Sequence, residues 1–197
     1  MNSRSWRRAA LAAGTALLAA VSLTACETSG KKKTAKGSAK ASAESQQPLK
    51  LGQPSPELQE ISRWGKTGKF TITGQRVVMG KASDLTQLDA NKYQGMTVAW
   101  VYVNAKLVEG DAPLKGPMVT SELSATSEGN QPGTKLILIG DLSSRPADCK
   151  EQDTDAIWQK GDDQTLCTPV IVPEKSKVTH ITYRRGYYKE PLKWTVE

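Results

Sequence analysis

Residues 95–108, GMTVAWVYVNAKLV, constrain the fold more than any other stretch of the chain. Side chains on a β-strand point alternately to its two faces. Read that way, Met96, Val98, Trp100 and Tyr102 share one face, and Ala99, Val101 and Val103 share the other. Both faces are apolar. Such a strand must be covered on both sides, which places it in the middle of a layered β structure. The same period of two recurs around it. It is seen in KFTITG at Phe70 and Ile72, in QRVVMG, and in KVTHITYR at 177–184. LKWTV at 192–196 alternates with Leu192, Trp194 and Val196 inward and Lys193 and Thr195 outward. Two further apolar runs, KLILIGDL at 135–142 and TPVIVP at 168–173, read as short strands, the second punctuated by its prolines. EGNQPGTK at 128–135 is a turn by composition. One helix is expected, in SPELQEISRWG at 55–65. Ser55 caps it, Pro56 takes its first position, Gly65 stops it, and Leu58, Ile61 and Trp64 share a face. No long helical pattern interrupts the strands. The expectation for residues 48–197 is therefore one all-β domain, a sandwich of about seven strands with a short N-terminal helix.

The N-terminus carries a different message. Arg4, Arg7 and Arg8 form a positive head, an apolar run extends from Ala9 to Leu23, and small residues follow. These are the parts of a secretory signal peptide. The competing reading, a transmembrane anchor, draws on the uncharged run from Ala9 to Cys26, which just reaches spanning length but is rich in alanine. The residues Leu23, Thr24, Ala25 and Cys26 resemble the lipobox of bacterial lipoproteins of the Gram-positive, actinobacterial type. The resemblance implies a signal peptide at 1–25, diacylglycerol on the Cys26 thiol, cleavage before Cys26, and acyl chains such as palmitate holding the protein on the outer side of the cell membrane. Thiols are the strongest nucleophiles among side chains, and two acyl chains anchor stably at about 0.8 kcal/mol per buried methylene. The Arg7-Arg8 pair leaves twin-arginine and general export both open.

After Cys26 the chain reads ETSGKKKTAKGSAKASAESQQP, with no aromatic and no large aliphatic residue. Such a segment cannot bury enough surface to offset the cost of ordering. Residues 26–47 are thus expected to be a lipidated cysteine and a flexible basic linker with an end-to-end distance of about 25 Å. The linker lysines either touch anionic lipid heads and acidic wall polymers or simply keep the linker solvated. The linker also explains the charge. The chain carries +7, but basic and acidic side chains balance over residues 51–197. A neutral folded part excludes nucleic acid as the partner.

A second resemblance covers residues 67–197. GKFTITGQRVV, YQGMTVAWVYVNAKL, VIVPEKSKVTHITYR and LKWTV, with Asn104 ending a strand and Pro173 marking a turn, resemble immunoglobulin-like domains of secreted Gram-positive lipoproteins. A cysteine-bearing insert at 144–168 departs from that pattern. The resemblance implies a non-catalytic extracellular module, and it carries over no active-site residues and no cofactor.

Signals for chemistry are few. His180, the single histidine, sits in KVTHITYR on the face of Val178 and Thr182. There is no HExxH, no CxxC and no serine in a nucleophile elbow. Asp148, Glu151, Asp153, Asp155, Asp162 and Asp163 form an acidic stretch that reads as a calcium loop or a solvated loop, but DTDAIWQKGDD lacks the third acid and the glycine of a calcium loop. Tyr183, Arg184, Arg185, Tyr187 and Tyr188, in YRRGYYK, have the composition of a recognition patch, or of a hairpin turning at Gly186. With Cys26 consumed by lipid, Cys149 and Cys167 are left to pair, since export places them where disulfides persist. The expected protein is an envelope lipoprotein whose β domain binds or supports an envelope protein or wall polymer. The alternatives are a wall-polymer hydrolase, marked by two carboxylates in a concave site, and a passive spacer.

Overall fold

A computed structural model describes residues 47–137, 140–187 and 189–197. The expected signal peptide, Cys26, the linker through residue 46, and Tyr188 lie outside the described residues. In chain order the strands are β1 (Leu49–Lys50), β2 (Gln59–Arg63), β3 (Lys66–Met79), β4 (Met96–Gly110), β5 (Leu114–Lys115), β6 (Leu123–Ser127), β7 (Gln131–Pro132), β8 (Thr134–Lys135), β9 (Ile157–Trp158), β10 (Asp163–Pro173), β11 (Val178–Arg185) and β12 (Lys189–Thr195). One helix, α1 (Ala82–Asp89), lies between β3 and β4. Among the described residues the strands form two five-stranded sheets, ordered β1-β12-β11-β6-β7 and β2-β3-β4-β10-β8, and the small pair β5-β9.

β4 behaves as its sequence requires. Ala99, Val101, Val103, Ala105 and Leu107 point into the space between the sheets, where they meet Phe70 and Ile72 of β3 and Leu123, Ala125, Ile181, Leu192 and Trp194 of the facing sheet. Val98, Trp100 and Tyr102 point the other way, under Leu85 of α1, Leu136, Leu142 and Cys149. Each large side chain buried this way contributes about 1.5–3 kcal/mol. The second layer over β4 is thus one helix and one loop. Cys149 and Cys167 are joined there as a disulfide, their Cα atoms 5.4 Å apart, within the span such a bond bridges.

Several expectations are corrected. Residues 55–65 do not form a helix. Gln59–Arg63 is the strand β2, paired antiparallel with β3 from Gln59↔Phe70 to Arg63↔Lys66. An isolated helix this short is marginal, and pairing with β3 wins. Gly65, at φ 75°, closes a hairpin instead of stopping a helix. Among the described residues the α-helix is α1, where Leu85 is fully buried. Of the run 135–142, Lys135 belongs to β8, and Leu136 and Ile137 are not part of a strand. Leu136 and Leu142 drop into the layer over Trp100, while Leu138 and Ile139 lie outside the described residues. Pro173 ends β10 as expected, but Pro169 does not mark its start. Pro169 sits inside the strand opposite Trp100, and its carbonyl accepts the Leu136 N–H at 3.0 Å. On β11 the register shifts between Val178 and His180, so the buried positions pass from Val178 to Ile181 and Tyr183, and His180 no longer shares a face with Val178.

The strand order also differs from the immunoglobulin one. There the third strand leaves the sheet of the first two. Here β2, β3 and β4 are neighbours in one sheet.

Candidate functional site

The residues of the YRRGYYK stretch gather where β11 ends. Gly186, at φ 69°, turns the chain from β11 into β12. Beside that turn the edge strand β2 of one sheet faces the end of β11 in the other, and a groove of about 560 Å³ opens between them. Tyr183, Arg184 and Arg185 line it together with Ile61, Glu60 and Ser62 of β2 and with Met118, Ser121 and Glu122 of the segment before β6.

Alternation along β11 decides what each residue does. Tyr183 points inward and is only 2% exposed. Its hydroxyl is buried without a hydrogen-bond partner among the described residues. Burial, and secondarily the charge of Glu122, push its phenol well above the ordinary range. Arg184 points outward and is held by Glu122 through a charge-assisted hydrogen bond, which raises its pKa further. The Arg185 side chain is almost covered. Its Nε donates to the Glu190 carbonyl at 2.7 Å, and its guanidinium lies 3.7 Å from Glu57 Oε2. Lys189 reaches the same carboxylate at 3.8 Å. Tyr187 is 92% exposed and is not among the lining residues. The expected patch is therefore divided: Arg184 is its exposed member at the groove, Arg185 lines the groove nearly covered, Tyr183 packs into the core beneath it, Tyr187 stands outside it, and Tyr188 is not described.

Sequence reading missed Glu60 and Glu122. Glu60 lay in a segment read as helix, and Glu122 in one with no assigned structure. Their approach across two sheets leaves no local signal. With both present the groove carries carboxylates and cations around a partly apolar floor, which suits a polar ligand bearing charge.

The other candidates separate in space. The acids are taken one by one. Asp148 accepts the Tyr102 hydroxyl at 2.9 Å and pairs with Arg76, whose guanidinium lies 4.0 Å from the centre of the Tyr102 ring. The Tyr102 hydrogen bond first, then Arg76, hold the Asp148 carboxyl below the usual carboxylate range. Glu151 lies 3.4 Å from Arg145, and Asp155 lies 2.9 Å from Lys115. Asp153 accepts the Asp155 N–H, Asp162 accepts the Gln159 N–H, and Asp163 accepts the Asn104 amide. Among the described residues no three His, Cys, Asp or Glu side chains converge as a metal site. His180 Nδ1 lies 3.0 Å from Thr179 Oγ1, and burial followed by Lys193 lowers its pKa. At the opposite end of β11 a second, more open groove is lined by Val77, Met79, Val178 and Val196, with charged residues at its rim.

No family model, no curated protein and no solved structure matches the chain. Among the described residues no helix is long and apolar enough to cross a membrane.

Proposed function

We propose that this chain is an extracytoplasmic envelope lipoprotein, anchored through lipid on Cys26, whose β domain binds a partner at the groove between β2 and the end of β11. The observation that carries the binding reading is the groove itself. It sets Arg184 and Arg185, a residue type favoured at recognition surfaces, above the buried Tyr183 and against the edge strand β2. The anchor reading rests on Leu23–Cys26 behind a charged head and an apolar run. The partner is an envelope protein or a wall polymer. The immunoglobulin-like resemblance supports an extracellular module through Pro173, which ends β10, whereas Asn104 falls inside β4 instead of ending it, and the strand order counts against a member of that fold in the strict sense.

The test is fractionation of cells expressing the full chain and its Cys26→Ser variant, each carrying a photo-crosslinker at Ser62. The parent should sediment with membranes and the variant should be unprocessed or shed. Crosslinks to one envelope component should disappear when Arg184 and Arg185 are changed to Gln. Identical fractionation of parent and variant would refute the anchor, and crosslinks indifferent to the arginines would refute the groove.

One observation favours a second reading, a wall-polymer hydrolase: Glu60 and Glu122 both line the groove. Glycoside hydrolysis needs two carboxylates flanking the bond. Release of soluble fragments from purified walls by the parent chain, lost in Glu60→Gln with Glu122→Gln, would replace binding with catalysis.

A further inference from the structure

The hairpin between β2 and β3 turns on two residues, Trp64 and Gly65, with Arg63 paired to Lys66. Both turn residues have positive φ, 53° for Trp64 and 75° for Gly65. Two-residue turns of this kind favour Asn-Gly, Asp-Gly or Gly-Gly, because a bulky side chain is disfavoured in the left-handed region. Among the described residues the other non-glycine with positive φ is Asn130, a residue type that tolerates it. Trp64 is also 77% exposed, whereas Trp100, Trp158 and Trp194 are 2% exposed or less. It therefore breaks the local rule without burying its ring in the fold. Residues that do this concentrate where function demands them.

Its surroundings indicate what it meets. A shallow cleft of about 330 Å³ at the tip is lined by Arg63, Trp64, Lys66, Pro113 and Lys115, three cations and no acid. The Arg63 guanidinium lies 5.4 Å from the centre of the indole, and its Nε is buried without a hydrogen-bond partner among the described residues. Lys66 is steered to the tip by a 2.9 Å hydrogen bond to the Pro113 carbonyl, and Lys115 is held by Asp155 at 2.9 Å. An indole flanked by cationic side chains matches the headgroup layer of an anionic membrane, where tryptophan rings sit at the interface and cations meet lipid phosphates. A sugar ring stacked on the indole would look for acceptors beside it, and the lining side chains of this cleft offer donors.

We infer that the Trp64 hairpin tip is a membrane-contacting element that inserts its indole among the headgroups of anionic lipid, with Arg63 and Lys66 on the phosphates. The contact is independent of the groove and of the Cys26 anchor.

The experiment uses the full chain carrying Trp6→Phe, so that Trp64 is its one exposed indole outside the buried three. The chain is mixed with vesicles of phosphatidylglycerol or of phosphatidylcholine, each with brominated acyl chains. Cosedimentation reports whether the chain is on the vesicle by any route, and bromine quenching reports whether Trp64 enters it. Quenching is expected on phosphatidylglycerol, suppressed by salt, and absent in Trp64→Asn. Trp64→Asn should melt at or above the parent temperature, since Asn suits the turn better. Each cation at an anionic surface contributes about fivefold to partitioning, so Arg63→Gln with Lys66→Gln, which keeps Trp64, should weaken the quenching response about 25-fold. Cosedimentation with no quenching difference between parent and Trp64→Asn would overturn the tip and leave the anchor standing. Equal quenching on phosphatidylcholine, or an emission shift with wall glycan fragments in place of vesicles, would also overturn it.

Discussion

Gly74 offers the sharpest test of how the two sheets fit together. It lies in β3 next to a register shift, and its carbonyl accepts the Gly52 N–H at 2.8 Å. A Cβ placed on it would come 2.7 Å from Cγ and from Cδ2 of Trp194. Trp194 cannot simply retreat. It is fully buried in the core between the sheets, and its indole N–H donates to the Gln53 carbonyl at 2.7 Å. Gly74→Ala therefore forces one of two outcomes, a displaced backbone or a displaced indole. Overpacking of this kind costs about 1–3 kcal/mol, and losing the indole hydrogen bond adds about 1 kcal/mol. Against this, alanine reduces the entropy of the unfolded chain by about 0.4–1 kcal/mol, a gain available because φ at Gly74 is not positive. The net is a loss of about 2 kcal/mol, which for a domain of this size lowers the melting temperature by about 4–8 °C. The assay is urea and thermal denaturation of the full chain, repeated in the Trp194→Leu background. There the added methyl meets a smaller and more adaptable side chain, so the double variant should be more stable than the sum of the single losses predicts, by about 1 kcal/mol. A Gly74→Ala variant within about 0.5 kcal/mol of the parent, or strict additivity with Trp194→Leu, would refute the packing described for this contact.

Two further outcomes follow from the layer outside β4. The Asp84 carboxylate, buried on α1, accepts the Ser143 hydroxyl at 2.6 Å, the Ser144 N–H at 3.0 Å and the Ser144 hydroxyl. Burial pushes its pKa up, but these hydrogen bonds and Lys81 outweigh burial and leave it below the usual value. A carboxyl with a depressed folded pKa stabilises above its unfolded value of about 4 and loses that contribution as pH falls through the folded value. Urea midpoints measured from acid to neutral pH should therefore drop in acid for the parent, and Asp84→Asn should flatten that limb. The disulfide closes a loop with a sequence separation of 18, worth about 3 kcal/mol in the chain-entropy model. Reductant should lower the melting temperature by about 6–12 °C. Mass spectrometry that finds two alkylatable thiols in the unreduced, exported protein would end the pairing.

What was legible in the sequence follows from what each segment buries. β4 could be read outright because both of its faces are covered, which leaves apolar residues at consecutive positions. β12 could be read because one face is covered and the other exposed, so Leu192 and Trp194 alternate with Lys193 and Thr195. β2 could not. Ser55, Pro56 and Gly65 are equally good punctuation for a short helix and for a hairpin, and pairing with β3, a non-local fact, decides between them. The phase of β11 is hidden by a bulge, and the place of Pro169 inside β10 is hidden because proline usually marks a strand's edge or end. The groove was half visible. Arginine and tyrosine next to each other raise the expectation of a recognition patch, but Glu60 and Glu122 reach the groove from segments distant in sequence. Trp64 had a usable signal that went unread: a tryptophan placed just before a glycine turn.

The two candidate surfaces are joined by one strand. Glu60 and Ser62 of β2 line the groove, and Arg63, the last residue of β2, begins the tip that Trp64 completes. Strand residues advance about 3.3 Å each, so the groove-lining positions lie about 7–13 Å along the chain from Trp64. On the proposed reading this spacing narrows the partner. A domain held only by a flexible linker of about 25 Å could present its groove in any direction. A domain that also rests its hairpin tip on the lipid cannot. It would hold the groove beside the headgroup layer, where a partner standing well away from the membrane could not be reached without lifting the tip. The two contacts would then favour a component lying at the membrane surface. Partner binding would be weakened by Trp64→Asn only when the chain is on anionic vesicles, and not when it is free in solution. Equal weakening in both settings would mean that Trp64 touches the partner itself, and the coupling between membrane and groove would be lost.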